Sequence, residues 1–351
     1  MNVLVSSVSL NDRTEAARIE DYLGRQSAAT PFHSPVWMKA AERACGHVVH
    51  YFVATDEQKA VRGVLPLHDV RSSLFGRALV SSAFAVGGGV LADTPEIGGQ
   101  LADAGWALAR TAGAPSLELR GGILPTGPGW HLDRETYAGF VQPLALDDEA
   151  ILAAIPRKQR AEVRRALGFN LEIRIGRDAK DRRDHYRVYS ESVRNLGTPV
   201  FPRRLFDAVL DGFGEEADIL TVRHGNSAVA SVLSLYHRGT VMPYWGGGTN
   251  GARGLRANEL MYFALMRHAR SRGCEHFDFG RSKVGTGAFA FKKNWGFTPE
   301  PLAYAVRTAD GAAPRSINPL DARYRLQIAL WQRLPLLVAN RLGPLIARGL
   351  G

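Results

Sequence analysis

Cysteine is nearly absent from this chain, which has two among 351 residues, Cys45 and Cys274. Two cysteines cannot form the disulfide framework of a small secreted domain, so the composition favours a reducing compartment. The sequence also lacks any run of about 18 apolar residues, and no membrane-spanning helix is expected. Its first residues, MNVLVSSVSLNDR, have neither the basic nor the apolar region of a signal peptide. These absences together predict a cytoplasmic protein.

Several catalytic signatures are missing as well. There is no G-x-x-x-x-G-K-[ST] phosphate loop and no G-x-S-x-G nucleophile elbow. The segment from Cys45 to His50 contains a cysteine and two histidines, but no second cluster matches it. The sequence therefore predicts no metal site and gives no reason to expect a covalent enzyme intermediate.

The length and charge of the chain set the next limits. A chain of 351 residues favours two domains over one. Lysine and arginine number 44 against 34 acidic residues, which gives a net charge of +10. Such a surface suits nucleic acid, anionic lipid or phosphorylated small molecules. A generally basic proteome would give the same balance, so the charge alone selects no partner.

Residues 240–297 hold the most informative pattern. Val241 to Trp245 form a short apolar run that predicts a buried strand. Gly246–Gly248 are expected to break this strand and to open a glycine-rich loop. A helix over residues 258–272 and a short strand over 277–279 are predicted to follow. A glycine loop before a helix can bind an anion through free N–H groups, although an ordinary turn has the same composition.

A similar order of elements occurs earlier in the chain. A predicted hairpin, a glycine-containing strand, a helix and a final strand cover residues 51–67, 84–91, 97–112 and 116–120. Another hairpin over 219–235 precedes the 240–297 stretch and repeats that order. Such a duplication predicts two similar domains of mixed α/β structure.

The motifs of the second half carry a family resemblance. They are Arg253-Gly254-Leu255-Arg256-Ala257, Phe277-Asp278-Phe279-Gly280-Arg281-Ser282 and Phe291-Lys292-Lys293-Asn294-Trp295-Gly296-Phe297. Together they resemble the FemAB-type branch of the GNAT acyltransferase superfamily, and most closely the FemAB-like proteins of PEP-CTERM/exosortase systems. The resemblance implies an α/β fold of two tandem GNAT-like domains, over residues 1–150 and 151–312, with a C-terminal helical tail over 313–351.

Acyl transfer to an amine requires a held donor carbonyl, a stabilised oxyanion and removal of a proton. Asp278 is the predicted group for orienting or deprotonating the amine, and Tyr244 is the predicted donor to the oxyanion. The resemblance adds Lys292 on the donor side. A structural hydrogen bond for Asp278 and a core position for Tyr244 remain open alternatives.

Anionic parts of the substrate require cations. Arg160 and Arg164, on a basic helix opened by Pro156, are predicted to bind phosphate or pyrophosphate, although a solvated helix face is the alternative. Arg281 and Lys293 are predicted to bind substrate as well. Trp245, next to Tyr244, completes the predicted substrate-binding set.

The segment before the second-half helix resembles a degenerate pyrophosphate loop. Arg253, Gly254, Ala257 and Asn258 are the predicted cofactor-binding residues. The last glycine of the R-x-x-G-x-G/A pattern is replaced, which weakens coenzyme A as the donor. No tightly bound cofactor is expected, and the donor is predicted to be aminoacyl-tRNA or an acyl thioester of coenzyme A or a carrier protein.

The predicted function is therefore N-acyl or aminoacyl transfer to an amine of a cell-envelope precursor, such as one for peptidoglycan or exopolysaccharide. Two alternatives stay open, a coenzyme A-dependent N-acyltransferase and a non-catalytic scaffold of an envelope assembly. The expected partners are an anionic or lipid-linked substrate and tRNA.

The last residues differ from the rest of the chain. Residues 316–351 alternate leucines with arginines around Trp331, and Pro335 and Pro344 interrupt them. Such a basic amphipathic segment can pack on the body of the protein or lie on an anionic membrane surface. A peripheral position at the inner membrane is thus a further expectation.

Overall fold

The computed structural model describes residues 3–309 and 322–351, and the side chains of residues 322–325 lie outside the description. Backbone contacts divide these residues into two compact units. Unit 1 contains residues 3–135, 302–309 and 345–351, and unit 2 contains residues 136–301 and 322–344. The domain boundaries at residues 150 and 312 stay a prediction, because a compact unit is not yet a domain shown to fold alone. The first residues of the predicted tail, 313–321, lie outside the described part.

The chain forms helices and strands throughout both units. The helices are α1 (Arg13–Arg25), α2 (Pro35–Cys45), α3 (Pro95–Thr111), α4 (Asp148–Ala154), α5 (Arg157–Leu167), α6 (Ala179–Asn195), α7 (Arg203–Phe213), α8 (Ala257–Ser271), α9 (Gly287–Asn294), α10 (Ala322–Arg333) and α11 (Leu336–Ala347). The strands are β1 (Leu4–Val8), β2 (Val48–Thr55), β3 (Val61–Ser72), β4 (Gly76–Val80), β5 (Leu91–Ala92), β6 (Ser116–Arg120), β7 (Trp130–Asp133), β8 (Tyr137–Gly139), β9 (Val141–Pro143), β10 (Leu171–Gly176), β11 (Ala217–His224), β12 (Ser227–His237), β13 (Thr240–Gly248), β14 (His276–Asp278), β15 (Ser282–Lys283), β16 (Glu300–Pro301) and β17 (Tyr304–Thr308).

The main sheets of the two units have the same plan. The order is β1-β2-β3-β4-β6-β17-β7 in unit 1 and β10-β11-β12-β13-β14-β9 in unit 2. Within each order one pair is parallel, β4 with β6 and β13 with β14, and a helix, α3 or α8, connects its two strands. The predicted fold class, mixed α/β with two similar halves, is confirmed.

One strand of each sheet comes from an unexpected part of the chain. Strand β17 follows all the elements of the unit 2 sheet in sequence, yet it pairs antiparallel with β6 of unit 1. Strand β9 precedes β10, yet it pairs antiparallel with β14 at the far side of the same sheet. A short strand can be fixed this way because its neighbour supplies the hydrogen bonds that it lacks alone.

The predicted strand over residues 84–91 is wrong. The structure has a strand at Gly76–Val80 instead, then a loop, and β-pairing resumes with an isolated bridge at Val90 and the strand Leu91–Ala92. Within the loop Ser82, Phe84 and Gly88 have φ values of 55°, 62° and 88°. Positive φ angles are incompatible with an extended strand, and two of the three belong to residues with side chains.

Helix α8 is held against its sheet by a buried polar cluster at its C-terminal end. The Tyr236 hydroxyl donates to Asp218 Oδ1 at 2.9 Å, and His268 Nε2 lies 2.9 Å from Oδ2. Arg272 reaches the same Oδ2 at 3.4 Å and stacks over the Tyr236 ring at 3.8 Å. Asp218 is 6% exposed, so its carboxylate depends on these partners for the hydrogen bonds that water would supply. The cluster fixes the helix whose other end borders the candidate site.

The two C-terminal helices, α10 and α11, include Trp331 and leave several leucines exposed. No helix in the described part of the chain has the length and apolar character needed to cross a membrane.

Replacing Asp218 should destabilise the protein without touching the site. Asp218→Ala leaves the buried Tyr236 hydroxyl without its acceptor, and we expect the free energy of unfolding to fall by about 1–3 kcal/mol. The matched control is Asp207→Ala, which breaks the partly exposed pairs with Arg182 and Arg203 and should cost less than about 1 kcal/mol. Urea unfolding measures both variants. Equal losses would contradict the role of the cluster.

Candidate active site

The main feature of unit 2 is the separation of the strands β13 and β14. They pair in parallel only at Thr240 with His276 and Val241 with Phe277. Strand β14 then ends at Asp278, whereas β13 continues to Gly248 in register with β12. Beyond Val241, no strand of the described chain pairs with the β14-facing edge of β13. The ladder between the two strands thus ends at Val241 and Phe277, and a ligand in extended form can approach β13 from this side.

The corresponding place in unit 1 is closed. After β4 the chain turns back over the parallel pair, where the Ser81 N–H donates to the Glu118 carbonyl at 2.8 Å. The Gly89 N–H donates to the Arg120 carbonyl at 3.0 Å, and the Arg120 N–H donates to Ser81 Oγ at 2.8 Å. The chain that follows β4 is thus hydrogen-bonded to β6, whereas β13 and β14 separate in unit 2. The geometry assigns the candidate site to unit 2.

A β-bulge places Tyr244 at the separation. Leu233 pairs with Trp245 but the next residue, Ser234, pairs with Pro243, so Tyr244 is the extra residue of β13. A bulge bends its strand and turns the extra side chain away from the regular alternation. The Tyr244 ring is partly buried and meets the Trp245 ring edge-on at 4.9 Å. The predicted position of Tyr244 beside the site is therefore compatible with the backbone.

Gly246–Gly248 do not form the predicted loop, since they are the last residues of β13. Close contacts with neighbouring elements explain why these positions are glycine. A Cβ at Gly247 would lie 2.2 Å from Ser192 Oγ, and a Cβ at Gly248 would lie 2.7 Å from Asn258 Oδ1. Helix α6 and the start of α8 approach this strand too closely for any side chain. The glycines therefore permit close packing where a turn was expected.

Asp278 stands at the end of β14, where the two strands part. The Gly280 N–H donates to its Oδ1 at 2.7 Å. Burial raises the pKa of this carboxyl above its usual range, while the Gly280 hydrogen bond and the charge of Lys292 act against the rise. A carboxyl whose pKa moves towards neutrality is better suited to accept a proton from an amine than an exposed aspartate.

Lys292 lies on α9. Thr286 starts the helix, and its hydroxyl accepts from the Phe289 N–H at 3.3 Å. The Lys292 ammonium donates to the carbonyls of Gly280 and Arg281, each at 3.0 Å. It thereby fixes the loop that follows Asp278.

The surroundings of Lys292 lower its pKa. Burial reduces it to about 8, opposed by the carboxylate of Asp278 and assisted by the charge of Arg281. The ammonium also lies 5.3 Å from the centre of the Phe140 ring. A lysine in this setting is a partly desolvated cation, and its charge acts more strongly on nearby groups than an exposed one.

Two of the cationic side chains predicted to bind substrate flank the loop that follows Asp278. The Arg281 guanidinium stacks over the Tyr137 ring at 4.6 Å. Lys293 is exposed on α9, with its ammonium 5.9 Å from the Phe289 ring. The sequence gives no signal for Tyr137 or Phe140, because they precede the loop by about 140 residues and reach it through the pairing of β8 with β15 and of β9 with β14.

Arg160 and Arg164 lie on successive turns of α5. The Arg160 guanidinium donates to the Ala153 carbonyl at 3.1 Å, at the end of α4, and Arg164 is exposed. Helix α5 is tied to the start of α8 by an ion pair between Glu162 and Arg256. Arg164 is thus placed to meet an anion, whereas Arg160 already has a structural partner.

The start of α8 contains the predicted cofactor-binding residues. Arg256 has a φ of 53° at the N-cap and no side chain caps the helix. Its guanidinium donates to the Arg253 carbonyl at 2.7 Å, and Arg253 and Gly254 are exposed. Free N–H groups at Ala257 and Asn258 favour an anion, but Glu259 in the first turn opposes one.

Trp245 has a packing role. It is 5% exposed, and its ring meets Phe206 at 4.8 Å and Phe201 at 6.3 Å. The indole therefore packs behind Tyr244, and its predicted contact with substrate stays a prediction. The apolar run of Val241 to Trp245 already signalled burial, and this signal outweighs the aromatic character of the residue.

Comparison with known proteins agrees with this geometry. Residues 155–293 match the family model of the acetyltransferase (GNAT) domain. This match contains the separated strands, α8 and Lys292. No protein of curated function matches the chain at a significant level.

Solved structures extend the likeness over both units. A crystal structure of FemX is similar with a TM-score of 0.66 at 12% identity, over 87% of this chain and 97% of that one. A C-terminal DUF2156 domain assigned to a lysylphosphatidylglycerol synthetase of Agrobacterium fabrum gives 0.56 at 15%, over 88% and 100%. A tandem GNAT protein from the clavulanic acid biosynthesis pathway gives 0.55 at 14%, over 89% and 100%. The fold is tandem GNAT-like, as the sequence predicts.

The low pKa of Lys292 can be measured without a substrate. We expect its ammonium to titrate near pH 8, well below an ordinary lysine, when followed by NMR of ¹³C-labelled lysine side chains. Asp278→Asn should lower this pKa further, because the carboxylate that stabilises the charged form is removed. Lys292→Arg identifies the resonance, and Lys293, exposed on the same helix, serves as the internal control. A titration at the ordinary lysine value in the wild type would contradict the described burial.

Proposed function

We propose that the protein is an N-acyltransferase that moves an acyl or aminoacyl group onto an amine of a cell-envelope or exopolysaccharide precursor. The observation that carries the proposal is the separation of β13 from β14 beside Asp278, within the segment that matches the GNAT domain. An extended donor that enters between the two strands would bring its carbonyl next to the carboxylate. In unit 1 the chain after β4 is hydrogen-bonded to β6 at the corresponding place.

The reaction proceeds by direct attack. The amine nitrogen attacks the donor carbonyl carbon, a C–N bond forms, and the ester or thioester bond of the donor breaks. Asp278 accepts the proton that the amine loses, and a proton passes to the leaving oxygen or sulfur. The Tyr244 hydroxyl donates to the oxyanion, and the charge of Lys292 stabilises it from the other side.

The start of α8 makes coenzyme A the weaker of the two donor classes. The guanidinium of Arg256 is engaged with Glu162, and Glu259 adds negative charge where a pyrophosphate would bind. Aminoacyl-tRNA needs no such pocket for its reacting end, and the net charge of +10 suits a polyanion. The name of the Agrobacterium fabrum neighbour describes a lysyl group joined to a phospholipid, which supports an aminoacyl donor by analogy.

The acceptor is proposed to carry phosphate. Arg281 and Lys293 flank the loop after Asp278, and Arg164 is exposed on α5. Cations around a carboxylate fit an acceptor that has both an amine and a phosphate or pyrophosphate group. The resemblance to FemAB-like proteins of PEP-CTERM/exosortase systems supports a precursor for exopolysaccharide.

Coenzyme A thioester remains the second candidate because α8 begins without a side-chain cap. The N–H groups of Ala257 and Asn258 and the exposed Arg253 would be its pyrophosphate site.

Donor binding separates the two classes. We expect the purified protein to bind aminoacyl-tRNA, and to bind it more weakly at high than at low salt, since phosphate contacts release counterions. Acetyl-CoA and a longer acyl-CoA are compared in the same titrations. Binding of a thioester alone, lost in Arg253→Ala, would replace the tRNA proposal with the coenzyme A alternative. Binding of neither donor would contradict acyl transfer and favour the scaffold.

Substitutions at the candidate site test the mechanism. With the donor that binds, we expect Asp278→Asn and Lys292→Met each to reduce kcat/KM by on the order of 100-fold or more. Arg110→Gln, at an exposed position of helix α3 in unit 1, is the matched control and should leave the rate unchanged. Rates close to wild type for both site variants would overturn the assignment of Asp278 and Lys292.

The pH dependence gives an independent check. Since Lys292 must keep its proton, kcat/KM should fall above about pH 8, as its pKa implies. In Lys292→Arg the guanidinium stays charged, so the alkaline fall should move to higher pH. The acid side should lie above the ordinary aspartate range because burial raises the pKa of Asp278. An alkaline limb that does not move in Lys292→Arg belongs to another group.

A further inference from the structure

Several large apolar side chains of the two C-terminal helices are exposed to solvent. In α10 and α11, large apolar side chains lie exposed: Leu326 is 71% exposed, Leu330 57%, Leu337 84%, Val338 39% and Leu342 43%. An isolated exposed leucine needs no explanation, but five within 17 residues of sequence form a pattern. We call these five residues, with Arg333 and Arg341, the tail surface.

Small residues form the opposite face of α11. Ala339 is 1% exposed and Gly343 is buried, four residues further along the helix. A Cβ at Gly343 would lie 3.0 Å from the Val200 backbone N and 3.1 Å from Val200 Cγ1. The helix therefore approaches its neighbour through small side chains. Leu336 and Ile346 are partly buried, whereas Leu337, Val338 and Leu342 are exposed, so the large apolar residues of α11 divide between the packed face and the exposed face.

Helix α10 is anchored by polar contacts at its end. The Arg194 guanidinium donates to the Leu334 carbonyl at 3.1 Å, and the Gln332 amide donates to the Asn195 carbonyl at 3.1 Å. Ile328 packs so closely on the loop after α6 that a Cβ at Gly197 would lie 2.3 Å from its Cγ2. The attachment of α10 uses Ile328 and the helix end, which leaves Leu326 and Leu330 without a part in it.

The charge of residues 326–351 indicates which kind of partner fits the tail surface. Residues 326–351 contain Arg333, Arg341 and Arg348 and no aspartate or glutamate. At 100° per residue, Arg341 lies between Leu337 and Leu342 on the exposed side of α11. On α10, Arg333 lies on the same side of the helix as Leu326 and Leu330. Leucines interspersed with arginines fit an interface where acyl chains lie beneath anionic headgroups.

We propose that the tail surface docks on an anionic lipid bilayer, with the leucines entering the acyl-chain boundary and the arginines contacting phosphate groups. Neither helix spans the membrane. A symmetric contact with a second copy fits less well, because a two-fold interface would bring the arginines of both copies together without acidic partners. The proposal does not depend on the proposed acyl transfer.

Vesicle flotation of the full chain tests this surface. We expect the protein to float with vesicles of phosphatidylglycerol and phosphatidylcholine, and not with phosphatidylcholine alone. Leu330→Ser with Leu337→Ser should weaken binding about tenfold or more, because two large apolar side chains no longer leave water. Arg333→Gln with Arg341→Gln should weaken it too and reduce its dependence on salt. The matched control is Leu146→Ser, which removes a leucine that is 79% exposed in the same unit.

Three results would overturn the proposal. One is a wild-type protein that floats with neither kind of vesicle. Another is unchanged binding in the double leucine variant while circular dichroism shows all variants folded. The third is a dimer in analytical ultracentrifugation that the leucine substitutions make monomeric, which would identify the surface as an interface between two copies.

Discussion

The separation of β13 from β14 is the constraint on which the candidate site depends. A parallel pair that stayed in register would satisfy its own hydrogen bonds and offer nothing to a ligand. Here β14 ends at Asp278 while β13 continues, supported on its other edge by β12. The bulge at Tyr244 falls within this unsupported part, where extra local twist helps the strands diverge. The separation of the strands and the position of the Asp278 carboxylate thus both follow from the end of β14.

A second dependence runs through the loop after Asp278. Its carbonyls at Gly280 and Arg281 both accept from Lys292, so one ammonium fixes the loop and supplies positive charge beside the carboxylate. Burial affects the two groups in opposite senses, raising the pKa of Asp278 and lowering that of Lys292. Both shifts move the pKa of the group towards neutral pH. Proton transfer at physiological pH then requires a smaller change in free energy.

Apolar periodicity predicts two elements around the site because it is a local signal, whereas the glycine run Gly246–Gly248 extends a strand where a loop was predicted. The helix predicted over 258–272 is α8, and the motif around Asp278 lies on β14. Two features depend on distant contacts and have no local signal. These are the pairing of β9 with β14 and the aromatic neighbours of Arg281 and Lys292.

Each unit contains a run of three glycines, and the two runs have opposite structures. Gly87–Gly89 lie in the loop that closes unit 1, with φ at 88° for Gly88. Gly246–Gly248 extend β13, because Ser192 and Asn258 leave no room for side chains beside the strand. Glycine thus permits either a turn or a close approach, and the packed neighbours decide between them. In unit 1 the chain turns back after β4 and is hydrogen-bonded to β6. In unit 2 strand β13 continues while β14 ends, so the two strands separate. The two halves of the duplicated fold therefore differ at this place.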